Sequence, residues 1–196
     1  MKAPQELPPY EVIDLKHAKS HPILRLPAAK LTFPLSNDDL RDVDTVEQRF
    51  DTEVNMAGVA APQIGIAKQI IVFAAPELQE LKKWRKDFTQ TMAKQVWINP
   101  SFEPIGDAKV QDFEACFSVL EMAGPVKRYE KIKYRAFDRD GNLIEGIAEG
   151  YLARVIQHEV DHVNATLFID HVEDGELVLI REYRERRRKA IEDDHG

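Results

Sequence analysis

His158 and His162 stand four residues apart, with Glu159 directly after the first, in the stretch Gln157-His-Glu-Val-Asp-His162. Residues four apart share one face of an α-helix, so both imidazoles of this H-E-x-x-H can grip a single metal ion. The glutamate between them lies beside such an ion without having to ligate it, which is where a general base belongs. The flanking residues predict the helix itself. Leu152, Val155, Ile156 and Val163 fall on one apolar stripe at about 100° per residue, with Glu159 inside the stripe and both histidines at its edge. A carboxylate facing a core is unfavourable unless a charge stands beside it, and a divalent cation supplies that charge. A solvated helix that held these residues by chance would not place the acid on its apolar side.

A catalytic metal site of this type has three protein ligands and one open position, so one ligand remains to be found. The histidine that metzincins place six residues after the second one is Phe168 here. A glutamate about twenty residues on, in the manner of thermolysin, is available as Glu182, but it lies in a basic segment where pairing with Arg186 is the simpler account. The better candidate is the only cysteine, Cys116, between a strand-like run and a turn in Phe113-Glu-Ala-Cys-Phe-Ser118. A lone cysteine is more often an inert core residue. This one stands upstream of a helix that lacks one donor.

The elements that must position these groups read as α+β, with strands preceding one long central helix and a terminal helix. Ser36-Asn-Asp-Asp39 predicts a helix start, followed by Leu40, Val43, Val46 and Phe50 at helical spacing. The first thirty or so residues are Pro-rich and irregular, with strand-like pieces such as Tyr10-Glu-Val-Ile-Asp14. Ala57 to Gly65, rich in small residues, predicts a tight loop or bend. Gln69 to Phe73 and Gln95 to Ile98 predict strands, and residues 77–94 between them a polar stretch of helical character. Ile132–Phe137 and Leu143–Ile147 predict a hairpin around Asp140-Gly141.

At 196 residues the chain is expected to form one domain, 1–196, whose last part, from about 176, is a basic helix. That helix carries Arg181 to Lys189, either as a solubilising face with i,i+4 Glu–Arg pairs or as a docking surface. A net charge of −7 argues against bulk nucleic-acid binding, DNA included, and no apolar run is long enough for a membrane span. A single cysteine and a start without an apolar signal region fit the cytoplasm.

Three separated segments resemble peptide deformylases. Gly58-Val-Ala-Ala-Pro-Gln63 matches most of that family's G-x-G-φ-A-A-x-Q loop, Glu114-Ala-Cys-Phe-Ser118 its E-G-C-φ-S, and Gln157 to His162 its helix motif. The resemblance runs from about His21 through Asp170 and includes Trp97-Ile-Asn-Pro100 and Leu167-Phe-Ile-Asp170. It implies an α+β fold of mostly antiparallel sheets around a central helix that carries the H-E-x-x-H, with a C-terminal helix. It also implies that Cys116, His158 and His162 hold one divalent metal, Fe²⁺ foremost, with Zn²⁺, Ni²⁺ or Co²⁺ able to substitute.

On the same resemblance, Glu159 is the general base of a hydrolase that removes the N-formyl group from the initiator methionine of nascent polypeptides. The Gln63 amide and the Phe117 backbone N–H serve the oxyanion, and Gly58 lets the peptide backbone approach. Glu114 pairs with Arg128. Asp161 either orients a ligand or faces solvent, and Tyr151, Arg154 and Val155 wall the side-chain pocket. The partners implied are N-formylmethionyl peptides and the ribosome near its exit tunnel, the latter through the terminal helix.

Met56 and Ala115 replace glycines of the family's motifs, an arginine usual after the cysteine is absent, and the stretch from Phe73 to Val96 is long. The added side chains are expected to narrow the substrate cleft or shift the peptide. The competing expectations are an inactive or specificity-shifted binding protein on the same fold, and a small H-E-x-x-H metallopeptidase that uses Glu182.

Overall fold

Ser36 caps helix α1 (Asn37–Thr52) reciprocally: its hydroxyl accepts the Asp39 N–H while the Asp39 carboxylate accepts the Ser36 N–H. Val43 and Val46 turn the apolar face of that helix inward, as its spacing predicts. The computed structural model describes residues 6–54, 56–77, 82–83, 85–173 and 175–194. A first sheet holds β1 (Gly58–Ala60), β2 (Ile70–Ala75), β3 (Met92–Pro104), β6 (Lys131–Phe137) and β7 (Leu143–Glu149), in the order β1-β2-β3-β6-β7. A second, three-stranded sheet runs β4 (Lys109–Cys116), β5 (Val119–Tyr129), β8 (Val178–Leu179). Every pair within the two sheets is antiparallel. Helices α2 (Gly150–Val163) and α3 (Ile180–Asp194) complete the α+β architecture.

Strand β2 explains how the first sheet sits. Its alternate residues serve two cores: Ile71 and Phe73 pack with Leu152, Ile156 and Val160 of α2, while Ile70 and Val72 pack with Val43 and Val46 of α1. A strand covered on both faces reads as a continuous apolar run rather than an alternating one. Trp97 of β3 lies edge-on to Phe73, ring centroids 4.6 Å apart, under the same face of α2. The motif helix is therefore clamped by fully buried side chains, each contributing roughly 1.5–3 kcal/mol by its removal from water. A third core, with Ile13, Leu24, Val119, Val126, Leu167 and Phe168, lies against Cys116.

Several expectations are corrected. Of the tight loop or bend expected at 57–65, the second half forms as a 3₁₀ turn, Ala61–Ile64, closed by Gly65 at φ +82°, whereas Gly58–Ala60 is strand β1, because its small residues suit close packing. Tyr10 to Asp14 joins no ladder and makes isolated backbone bonds instead. Part of 77–94 lies outside the described residues; within them Lys82 and Lys83 are helical, but β3 already begins at Met92. The terminal helix begins at Ile180 rather than near 176, since Val178 and Leu179 first pair with β5. The hairpin at Asp140-Gly141 forms as expected.

Residues 85–90 cap the motif helix. The Asp87 carbonyl accepts the Tyr151 N–H at 3.0 Å, and the Gln90 side-chain oxygen accepts the Glu149 N–H at 2.8 Å. They satisfy donors at a helix start that has no side-chain cap of its own. Gly150, at φ +57°, sits against this segment so closely that a Cβ would overlap the Asp87 carbonyl oxygen. Gly106, at φ +76°, has open space around it. Alanine at Gly106 is expected to cost the left-handed strain alone, about 1–2 kcal/mol. Gly150→Ala adds the overlap, so its urea midpoint falls clearly further than that of Gly106→Ala; equal midpoints would refute the capping contact.

Candidate metal centre

Cys116 ends β4 at the turn into β5, while His158 and His162 project from α2. One ligating atom from each of the three lies within 4.8 Å of the others. Cys116 Sγ is 3.3 Å from His162 Nε2. Glu182, on α3, stands outside this cluster. The sequence-expected ligands therefore converge, and the alternative third ligand does not.

Glu114 fixes the first histidine. Its carboxylate accepts Nε and Nη2 of Arg128, each at 2.9 Å, Nη1 of Arg154 at 2.8 Å, and faces His158 Nδ1 at 2.8 Å. A carboxylate at Nδ1 selects the tautomer that carries its proton there and leaves Nε2 for an ion. Burial works against the Glu114 charge, but the bonds from His158 and Arg128 hold its pKa well below the usual carboxylate range. Asp161 does not simply face solvent: it pairs with Arg128 and His171, and so bears on His158 at a remove, through the guanidinium that braces Glu114.

Burial alone would raise the Cys116 thiol, yet the imidazoles of His162 and His158 outweigh it and bring its pKa down to about 5. Burial likewise lowers His158, and the Cys116 sulfur and the Glu114 carboxylate more than reverse this. Glu159 is governed by burial, which lifts its carboxyl to about 7. Its Oε2 is buried without a hydrogen-bond partner. Gly58 explains how the carboxylate fits: a Cβ there would meet Glu159 Oε1 at 2.5 Å. That glycine serves close approach, not a turn.

Gln63 and Phe117 flank the same centre. The Gln63 side-chain oxygen accepts the Ala60 N–H at 2.8 Å, which aims Nε2 at Cys116 Sγ, 3.1 Å away. Phe117 and Ser118 form the β4–β5 turn, and the Ser118 N–H points at the same sulfur at 3.4 Å. A cleft of about 490 Å³ opens here, lined by Met56, Gly58, Ala115, Tyr151, Arg154 and Val155 among others. The three helix residues wall it as expected, and Met56 and Ala115 face it.

Arg85, Ile180 and Arg184 also line this cleft and were missed by sequence reasoning. Arg85 bonds Asp87 and Asp112 and lies 4.9 Å over the Tyr151 ring. Helix α3 reaches the cleft because Tyr183 stacks on Phe113, centroids 4.6 Å apart, and Arg187 pairs with Asp112 at 2.7 Å. Arg154 carried the one available signal, a guanidinium within an otherwise apolar helical run. No described helix is long and apolar enough to cross a membrane.

The donor set fits a divalent ion. A thiolate and two imidazoles suit first-row metals, and the unpartnered Glu159 carboxylate lies beside them without being needed as a ligand.

The chain's similarities agree with this geometry. A family model described as polypeptide deformylase matches residues 17–177. A peptide deformylase 2 of Rickettsia conorii is 50% identical over 191 residues, 96% of this chain and 95% of its own. A peptide deformylase of Pseudomonas aeruginosa is 38% identical over 152 residues, covering 76% of this chain and 79% of its own. Among solved structures, the class I type b peptide deformylase of Acinetobacter baumannii with bound Met-Ala-Ser superposes at a TM-score of 0.72, with 27% identity over 85% of this chain and 99% of that one. The Ehrlichia chaffeensis enzyme gives 0.72 at 26% identity, over 97% and 100% of the two chains.

In the metal-free protein, the Glu159 carboxyl, raised from 4.5 to about 7, keeps a proton that the unfolded chain gives up. Its contribution to stability is therefore full below pH 4.5 and is lost as pH rises to about 7. The melting temperature of metal-free wild type relative to Glu159→Gln is expected to fall across that window. A pH-independent difference would contradict the buried, ionisable carboxylate.

Proposed function

The chain belongs to the polypeptide deformylase family, and from that premise we propose the part that each residue plays in the reaction. It is a hydrolase of a metal-dependent family and removes the N-formyl group from the initiator methionine of new polypeptides. We assign Cys116, His158 and His162 as ligands of one divalent ion, Fe²⁺ in the native enzyme, with Zn²⁺, Ni²⁺ or Co²⁺ as substitutes. When bound, that ion supplies a Lewis acid that polarises the formyl carbonyl and makes water more acidic.

Glu159 takes the proton of the attacking water as the new C–O bond forms at the formyl carbon. It then delivers that proton to the departing amine nitrogen as the C–N bond breaks, giving formate and a free amino terminus. The Gln63 Nε2–H and the Phe117 backbone N–H donate to the oxygen on which charge develops. Losing one such donor typically lowers the rate by about 10²–10³. Gly58 keeps the β1 edge open beside the base, so the peptide backbone can lie close.

The single observation that carries this reading is the Glu159 carboxylate, buried with Oε2 unpartnered beside the three ligands. A structural acid would not be left so. The Met-Ala-Ser bound to the Acinetobacter enzyme supports placing the peptide in the corresponding cleft here, with methionine walled by Tyr151, Arg154 and Val155. Met56 and Ala115 then narrow that cleft. The elements act as one catalytic domain in the cytoplasm. The exposed cations of α3, Arg181, Arg186 and Arg188 among them, meet the ribosome near its exit tunnel.

Protein purified anaerobically with Fe²⁺ is expected to release formate from formyl-Met-Ala-Ser, whereas Glu159→Ala keeps its metal and loses about 10²-fold or more in rate. No release from the loaded wild type would sink the assignment. For the ribosome, Arg181→Glu/Arg186→Glu/Arg188→Glu is expected to keep activity on the free tripeptide and to stop co-pelleting with ribosomes. Unchanged co-pelleting would place the contact elsewhere.

A further inference from the structure

The family match begins at residue 17, yet the segment before it reaches the catalytic centre. The Glu11 N–H donates to the Gln63 carbonyl at 2.8 Å, and the Ile13 N–H to the Ser118 carbonyl at 2.9 Å. Just ahead of them, the Tyr10 ring lies flat on that of Phe117, centroids 4.9 Å apart and planes 15° apart. One short run of backbone thus touches both places from which the proposed oxyanion donors project. Those two places belong to different parts of the fold. Gln63 sits in the turn after β1 of the first sheet, and Phe117 in the hairpin of the second.

The run is itself held on its far side. The Arg49 guanidinium of α1 lies 4.9 Å from the Tyr10 centroid, donates to the Pro8 carbonyl and pairs with Glu53 at 3.3 Å. Arg49, Tyr10 and Phe117 form three layers, with Phe117 40% exposed at the cleft. Ile13 is buried beside Val119, and Glu11 stands 3.4 Å from His21. Without Tyr10, one face of the Phe117 ring would lose its partner, and the turn would be tied through Ile13 alone.

We infer that residues 8–13 form a positioning strap that fixes the Gln63 amide and the Phe117 N–H relative to each other. The inference rests on reading those two groups as oxyanion donors. The two donors are carried by separate sheets that share no ladder, and a displacement of about 1 Å at such a site can cost about 10²-fold in rate. A device that spans both anchors removes that freedom. Tyr10 touches no reacting atom; it acts through Phe117.

Steady-state kinetics on formyl-Met-Ala-Ser with the Fe²⁺-loaded full chain test this, alongside metal content and melting temperature. Tyr10→Ala is expected to lower kcat about tenfold or more, with KM within about twofold and metal content unchanged. Tyr10→Phe keeps the ring and is expected to keep kcat. Because Phe117→Ala removes the same stack, the double variant should lose no more than the worse single one. If Tyr10→Ala does not fold, Tyr10→Leu, which keeps apolar bulk without the ring, carries the same comparison.

The strap is overturned if the ring-less variant keeps kcat within about twofold, if it loses kcat only in step with its metal, or if the two losses multiply. Gln63→Leu separates the premises. If kcat is unaffected by Gln63→Leu, the donor reading fails; if Gln63→Leu lowers kcat and Tyr10→Ala does not, the strap alone fails.

Discussion

A carboxylate almost shut off from water, Glu114, is the point on which the rest of this structure turns. It sits on β4, and its three close partners, Arg128, Arg154 and His158, come from β5 and from two turns of the motif helix. Buried, it would be strongly unfavourable alone. Held by two guanidiniums and an imidazole, it ties the second sheet to α2 and sets the tautomer of His158 in the same act. Removing one partner from such a buried set typically costs about 3–5 kcal/mol, because the remaining charge is left uncompensated. The fold and the first ligand therefore share one cause.

The closeness of β1 to α2 is the second consequence. Glu159 can point from the helix into the centre only because Gly58 presents no Cβ to it. The strand that follows into Gln63 is thereby set at a fixed distance from the helix, and the Ala60 N–H bond orients the amide. On the other side, Cys116 and the Phe117 turn come from a sheet that shares no ladder with the first. What relates the two halves is the helix between them, the Glu114 cluster, and the amino-terminal run that bonds to both.

The parts legible in the sequence are those with a local signature. The helical period around His158 and His162, the reciprocal cap at Ser36 and Asp39, and the hairpin at Asp140-Gly141 each follow from residues within a few positions of one another. The strand at Gly58–Ala60 was misread because small residues signal a bend as readily as a close approach, and only the distant Glu159 decides between them. Arg85, Tyr10 and Tyr183 were illegible for the same reason: each acts through a partner tens of residues away, with no period to announce it. Arg154 carried a local signal, although the sequence assigned it only to a pocket wall. A guanidinium in the midst of Leu152, Ala153, Val155 and Ile156 demands a buried acid, and Glu114 was already singled out.

Charge accounting across the centre separates an outer set of groups from an inner one. Outward from His158 lie two carboxylates, Glu114 and Asp161, against two guanidiniums, Arg128 and Arg154, a set that balances itself. Inward lie the Cys116 sulfur, whose thiol the imidazoles of His162 and His158 make more acidic, and the Glu159 carboxyl, which burial makes less acidic. A cation held by Cys116, His158 and His162 would face both, with Glu159 beside it and not among its ligands. The outer set is paired within itself, so His158 can serve both sides, Nδ1 outward to Glu114 and Nε2 inward toward the cluster with Cys116 and His162.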